Sequence, residues 1–430
     1  MARFQDVSAR TLRLIVPLTP EDMMVQSLPE ASPVKWHLAH TTWFFESFLL
    51  TPFASGYREF DPDFHWLFNS YYQSFARFPD KRLRASFSRP SLEEILAYRS
   101  HVDKAVVKFS GALSDIPEAW DRMMLGVHHE QQHQELILTD ILHALATNPI
   151  RPVYWPAADI QQSAIPPLAW TRHEGGLVEV GAEPDRGFSY DNERPRHRTW
   201  LDPFAMANRL ITNAEYAEFL ADGGYLRPEL WLSDGWELVR REGWNAPLYW
   251  SEHDSDRHDG NATNQNRRER NERRGRWTIF TLRGEFPLET VASLPVTHVS
   301  YYEADAFARW SGKRLPSEME WEQSATQRTV AGNLLEQEHF LPAAYSVSTG
   351  DQIFGDCWEW TASAYLPYPG FAPLEGTLGE YNGKFMSGKM VLRGGSFATP
   401  ATHIRASYRN FFAPETRWQF SGIRLAESSR

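Results

Sequence analysis

The stretch Val127-His128-His129-Glu130-Gln131-Gln132-His133-Gln134-Glu135 decides how the first third of the chain must be read. It lies inside an apolar-periodic segment from about Glu118 to Thr147, a pattern that predicts one long helix. At about 100° per residue, His129 and His133 fall one turn apart on the same face, the geometry two imidazoles need to share a metal ion. Gln132 lies about 60° from His129 on that broad face, within reach of whatever the ion would hold. Surface helices also carry such pairs by chance, so a third ligand has to come from elsewhere.

Outward from this stretch, Ser8 to about Ala146 reads as helices separated by short polar or proline breaks, which predicts a helical bundle. Ser32-Pro33 has the form of a start signal, a capping hydroxyl followed by proline at the first helical position, and Thr51-Pro52 is expected to stop that helix. Between them lies Lys35-Trp36-His37-Leu38-Ala39-His40-Thr41-Thr42-Trp43-Phe44-Phe45-Glu46, with two more histidines in a largely apolar setting. Metal sites in bundles are built from inward side chains of different helices, so His37 or His40 could complete a three-histidine site with His129 and His133. Spacing alone does not choose between them.

Phe68-Asn69-Ser70-Tyr71-Tyr72 and the basic stretch Arg77 to Arg89 form a long link of the kind that is often functional. Tyr71 and Tyr72 could be proton donors or ordinary wall residues. Ser91-Leu92-Glu93-Glu94 is a capping box that should open the next helix. His101, His128 and His143 are read as structural or surface residues. The long helix should end near Asn148-Pro149, and the proline-rich sequence to Pro167 marks a boundary. The expected division is a helical region over 1–150, a linker over 151–169 and a second domain over 170–430.

The second domain has short apolar runs, many glycines and aromatics, and long loops, with helices expected over Asn213 to Asp222, after the capping Thr212, and over Tyr302 to Ser311. Glu252 to Gly275 is polar and lacks an apolar face, which predicts a mobile insertion. With 430 residues the chain can bury two cores, and its single cysteine, Cys357, excludes an intramolecular disulfide. A formal charge of -11 argues against a general nucleic-acid binder, despite the basic run Arg267 to Arg276. No apolar run reaches the length of a membrane span, so a cytoplasmic protein is expected. The 17 tryptophans suit a pocket for a planar or cationic ligand. Three neutral imidazoles admit either a hydrolytic or thiol-activating zinc site or an oxygen-activating ferrous site.

Five segments together resemble the ergothioneine sulfoxide synthase family: Leu38 to Glu46, His129 to Glu135, Asp191-Asn192-Glu193-Arg194-Pro195-Arg196-His197, Arg314 to Glu322 and Leu392-Arg393-Gly394-Gly395-Ser396. The resemblance spans nearly the whole chain. It implies an α+β protein, an N-terminal DinB-like four-helix bundle followed by a C-terminal domain like that of formylglycine-generating enzymes, a C-type-lectin-related fold. The cysteines those enzymes use are missing here. It further implies Fe(II) and O2, with hercynine (N-alpha-trimethylhistidine) as one substrate and His40, His129 and His133 as the iron ligands. Gln132 and Asn410 would contact hercynine, Asn410 at its carboxylate, and Phe411 and Phe412 would face its trimethylammonium group. Tyr71 and Tyr72 match the paired tyrosines of the branch that takes free cysteine.

Lys81 and Arg84 occupy the link where that branch carries arginines that clamp the donor's carboxylate. One expected arginine is Lys81 and another is Phe78, and a lysine does not reproduce a bidentate clamp. Phe397 also replaces a common cysteine. These departures point the expectation toward the selenoneine synthase branch, with a selenosugar donor. The alternative is an ergothioneine sulfoxide synthase using cysteine or gamma-glutamylcysteine. Two rivals from other classes are a zinc-dependent thiol transferase and a non-catalytic binding module.

Overall fold

The computed structural model describes residues 1–70, 72–156, 160, 163–184, 186–252, 277–346 and 350–428. Beyond Glu252 itself, the polar segment Glu252 to Gly275 and the basic run Arg267 to Arg276 lie outside the described residues. The N-terminal region is built on four helices, Ala2–Leu14, Val34–Phe45, Leu92–Phe109 and Pro117–Thr147. Val34–Phe45 is buried along its whole length. It packs against both Leu92–Phe109 and Pro117–Thr147, while Ala2–Leu14 covers another side of the long helix. A helix buried all round must satisfy its polar side chains internally. Accordingly the Lys35 ammonium donates to the carbonyls of Phe87 and Pro90, each at 2.7 Å. Glu46 accepts from the hydroxyls of Tyr57 and Tyr98.

The close approach of the two histidine-bearing helices depends on Gly126, where an added Cβ would stand 2.5 Å from the Phe45 ring. The Ser91 capping box opens the third helix as expected. Ser32 does not cap the second. The helix begins at Val34 after Pro33, whose side chain makes no capping bond. The Ser32 amide donates instead to Asp140 at 2.8 Å, and its hydroxyl accepts from Arg84 at 2.7 Å. Nor does Thr51-Pro52 stop the chain's helical course. A π-turn over Glu46–Leu50 resets the backbone, and Thr51–Phe53 adds one more turn. Proline is tolerated there because it enters at the start of a new turn.

No regular element lies between Thr147 and Trp170 among the described residues. The C-terminal region then has small sheets joined by long connections. A four-stranded sheet takes the order Asn410–Phe412, Met390–Arg393, Trp358–Ala364, Ser421–Gly422, and its last pair is parallel. The helices Asn213–Ala221 and Tyr301–Trp310 form with capping boxes from Thr212 and Ser300. Two helices not expected from periodicity, Ser233–Glu242 and Glu318–Ala325, accompany them. The core of this region is ionic as well as apolar. Arg393, fully buried, donates to Glu318 and Glu322, and Arg409 makes two bonds to Glu318.

The two regions meet along the long helix. Glu135 is the hub, accepting from Trp358 Nε1, Ser396 Oγ and Thr399 Oγ1 at 2.5–2.7 Å. Burial raises the pKa of its carboxyl while the three donors oppose the shift. No helix among the described residues is long and apolar enough to cross a membrane.

Candidate metal centre

His40 comes from the buried second helix, and His129 and His133 from successive turns of the long helix. One nitrogen from each lies within 4.8 Å of the others. The choice between His37 and His40 is resolved by their partners. His40 donates from Nδ1 to the Phe68 carbonyl at 2.7 Å, which leaves Nε2 as its available lone pair. Its ring is sandwiched near-parallel to Trp36 and Trp43, with centroids 4.4 and 5.3 Å away.

His37 stands behind the centre. Its Nε2 is 3.0 Å from Asp140 Oδ2, and its Nδ1 is 2.7 Å from His133 Nδ1. A carboxylate can only accept, so it places the His37 proton on Nε2. His37 Nδ1 then accepts from His133 Nδ1–H, and His133 is left with a free Nε2. His129 Nδ1 is buried without a hydrogen-bond partner. Burial holds all three ligand imidazoles neutral, with His129 pushed down to about 3 and His40 and His133 well below the usual histidine value. Neutral rings that each offer a nitrogen lone pair are what a divalent ion requires, so the residues fit a three-histidine metal centre.

The centre opens on a cavity of about 1110 Å³ between the two regions. Gln132 lines it, and both ends of its amide are held by phenols of the second region: Nε2 donates to Tyr408 at 2.8 Å, and Oε1 accepts from Tyr381 at 2.5 Å. Tyr381 also packs edge-on to His129, with centroids 5.9 Å apart. Asn410, Phe411 and Phe412 line the same cavity from an edge strand. Phe411 stacks on Tyr365 at 4.1 Å, and Phe412 meets Trp418 edge-on.

Lys81 and Arg84 both line the cavity from the turn Lys81–Ser86. Arg84 is buried, with its guanidinium 3.3 Å above the Trp36 ring, and burial lowers its pKa to about 9. Tyr72 is not among the residues that line the cavity. It is fully buried, packed against Trp43 and Phe48 in the core, and it is Ser70 that reaches the cavity wall. Tyr71 lies outside the described residues.

Sequence reasoning gave no role to Tyr381, His403 or Asp140, all of which line the cavity. Tyr381 and His403 sit in no periodic pattern that would mark them. Only Asp140 had a readable signal: it lies seven residues after His133, two turns along the same helix. His128 and His143, read as structural, both make polar contacts here, His143 on the cavity wall beside Ser27.

A four-helix region with a buried three-histidine centre, closed by an irregular mixed domain, defines a class of two-domain metal-dependent protein. The family models agree: the DinB superfamily matches residues 3–137, and the sulfatase-modifying factor enzyme 1-like domain matches residues 161–348 and 338–429. Hercynine oxygenase of Mycobacterium tuberculosis is 31% identical over 444 residues, covering 97% of this chain and 96% of the relative. Hercynine oxygenase of Mycolicibacterium smegmatis is also 31% identical, with the same coverage of both chains. Ergothioneine biosynthesis protein 1 of Schizosaccharomyces pombe is 30% identical over 56% of this chain and 28% of its own length. The chain belongs to the hercynine oxygenase family.

Proposed function

We propose that this protein joins the sulfur of a carboxylate-bearing thiol, cysteine or gamma-glutamylcysteine, to the imidazole ring of hercynine. In this reading residues 1–150 supply the iron ligands His40, His129 and His133, residues 151–169 connect, and residues 170–430 supply the substrate lid. Ferrous iron bound there would supply oxygen activation. The reaction balances as loss of the thiol S–H and one ring C–H, formation of a C–S and an S–O bond, and release of the second dioxygen atom as water.

The observation that carries the reading is that His129 and His133, two members of the three-histidine cluster, line one cavity together with Asn410, Phe411, Phe412 and Arg84. Aromatic faces suit a quaternary ammonium group. Holding both substrates beside the ion supplies much of the rate. Among the described residues Tyr381 is the phenol packed on a ligand ring, so proton transfer falls to it or to Tyr71, and a Tyr381→Phe variant separates the two.

Two cationic side chains on the cavity wall support a carboxylate-bearing donor over a selenosugar. Arg84 loses solvation in the cavity wall, and a carboxylate would restore to it what burial removes. Lys81 adds a second cation on the same turn. The test is an aerobic assay with ferrous iron and hercynine in which cysteine, gamma-glutamylcysteine and a selenosugar compete, with products read by mass spectrometry. A sulfoxide adduct of hercynine is expected. A selenium adduct as the main product would return the chain to the selenoneine branch.

A further inference from the structure

A second histidine chain, which includes His128 next to the ligand His129, ends at His403 on the cavity wall, and its protons are assigned by its first member. Arg3 Nη2 lies 3.0 Å from His128 Nε2, 2.7 Å from the Thr402 carbonyl and 3.4 Å from Gln131 Oε1. A guanidinium has no lone pair to offer, so His128 Nε2 must be the acceptor. The His128 proton therefore sits on Nδ1, which is 3.0 Å from His403 Nδ1. That contact makes His403 Nδ1 an acceptor too, and the His403 proton moves to Nε2. The rings are fixed in place, His128 stacked on Phe188 at 4.1 Å and His403 edge-on to Tyr408 at 4.8 Å.

His403 is 2% exposed and lines the cavity, and its Nε2 has no hydrogen-bond partner. A buried N–H left unpaired is destabilising, so a chain of forced tautomers that ends in one points to a missing acceptor. The local charge says which kind. Arg405 is neutralised by two bonds to Glu193, but Arg3 has no carboxylate partner among the described residues. An uncompensated cation behind a neutral N–H donor favours an anionic oxygen in front of it.

We propose that His403 Nε2–H is a hydrogen-bond donor to a substrate carboxylate, with Arg3 and His128 as positioning residues that hold its tautomer. This rests on the reading of the cavity as a hercynine and thiol site, since each of those compounds brings a carboxylate.

Two measurements test it on the full-length, iron-loaded protein kept anaerobic so that nothing turns over. Calorimetric titration with hercynine and with cysteine, each alone, compares wild type, His403→Phe and His403→Gln. About a tenfold or greater loss of affinity for one of the two compounds is expected in His403→Phe, with most of it restored by the amide donor of His403→Gln. The compound affected identifies whose carboxylate is bound. In parallel, imidazole nitrogen NMR of metal-free protein should show His403 protonated on Nε2, and Arg3→Met should admit the Nδ1–H form.

Wild-type affinities for both compounds that persist unchanged in His403→Phe would overturn the proposal while leaving the functional reading intact. So would a wild-type His403 that carries its proton on Nδ1. A wild type that binds neither compound overturns the functional reading itself, and this proposal with it.

Discussion

The two histidine chains that reach the cavity are made of the same parts and deliver opposite chemistry. Asp140 starts one and Arg3 the other, each followed by two imidazoles joined through Nδ1. Because a carboxylate only accepts, the first chain ends in a lone pair on His133, fit for a metal ion. Because a guanidinium only donates, the second ends in an N–H on His403, fit for an anion. The role of a buried histidine is therefore set two residues away in the hydrogen-bond chain, by the sign of the group that anchors it.

The largest effect is expected at the metal end. His133→Ala removes a ligand and the last link of the first chain together, so turnover should fall to background and iron should be lost on desalting, as measured by metal analysis. Cutting the anchor instead of the ligand should cost less. Asp140→Asn frees the His37 tautomer and is expected to weaken metal affinity by about 10- to 100-fold in a competitive chelator titration. His37→Phe should do the same, and neither should alter the NMR tautomer of His403.

Glu135 lies between the two ends, since it fixes the ligand helix to the domain that carries His403. Glu135→Leu strands three buried donors and should lower stability by about 2–4 kcal/mol in denaturant unfolding. It should also loosen both chains at once. Smallest is Gly126→Ala. The added methyl pushes on Phe45 between the histidine-bearing helices, at a cost of about 1–3 kcal/mol by the same measurement.

Much of the bundle could be read from sequence because one period runs through it and because helix spacing brings His129 and His133 together. The failures there have tertiary causes. Ser32 has the local chemistry of a cap, yet Asp140 from another helix takes its amide and Arg84 takes its hydroxyl. Pro52 reads as a stop, yet a π-turn just before it lets one further turn form. In the second region the signals are mostly non-periodic: Glu318, Arg393 and Arg409 meet in one buried ion cluster although as many as 91 positions separate them. Tyr381 and His403 reach the cavity from loops, where no spacing rule marks a side chain as inward.

Acid acts on the metal end in a direction the structure fixes. Burial keeps the ligand histidines neutral, His129 down to about 3 against an ordinary 6.5. Below about pH 6.5 the unfolded chain binds protons that the fold refuses, so stability of the metal-free protein is full above that pH and falls as pH drops toward 3. Unfolding midpoints measured across this range should decline steadily, and His129→Phe should flatten the slope.

The three-histidine centre is tested by following hercynine itself. Iron-reconstituted wild type and His133→Ala are given hercynine and cysteine, in air and under anaerobic conditions, and hercynine is quantified over time. Loss of hercynine only with wild type and only in air is the result this structure predicts. Wild type that leaves hercynine untouched in air, or His133→Ala that consumes it as fast, would contradict the assignment of the three-histidine centre to this chemistry.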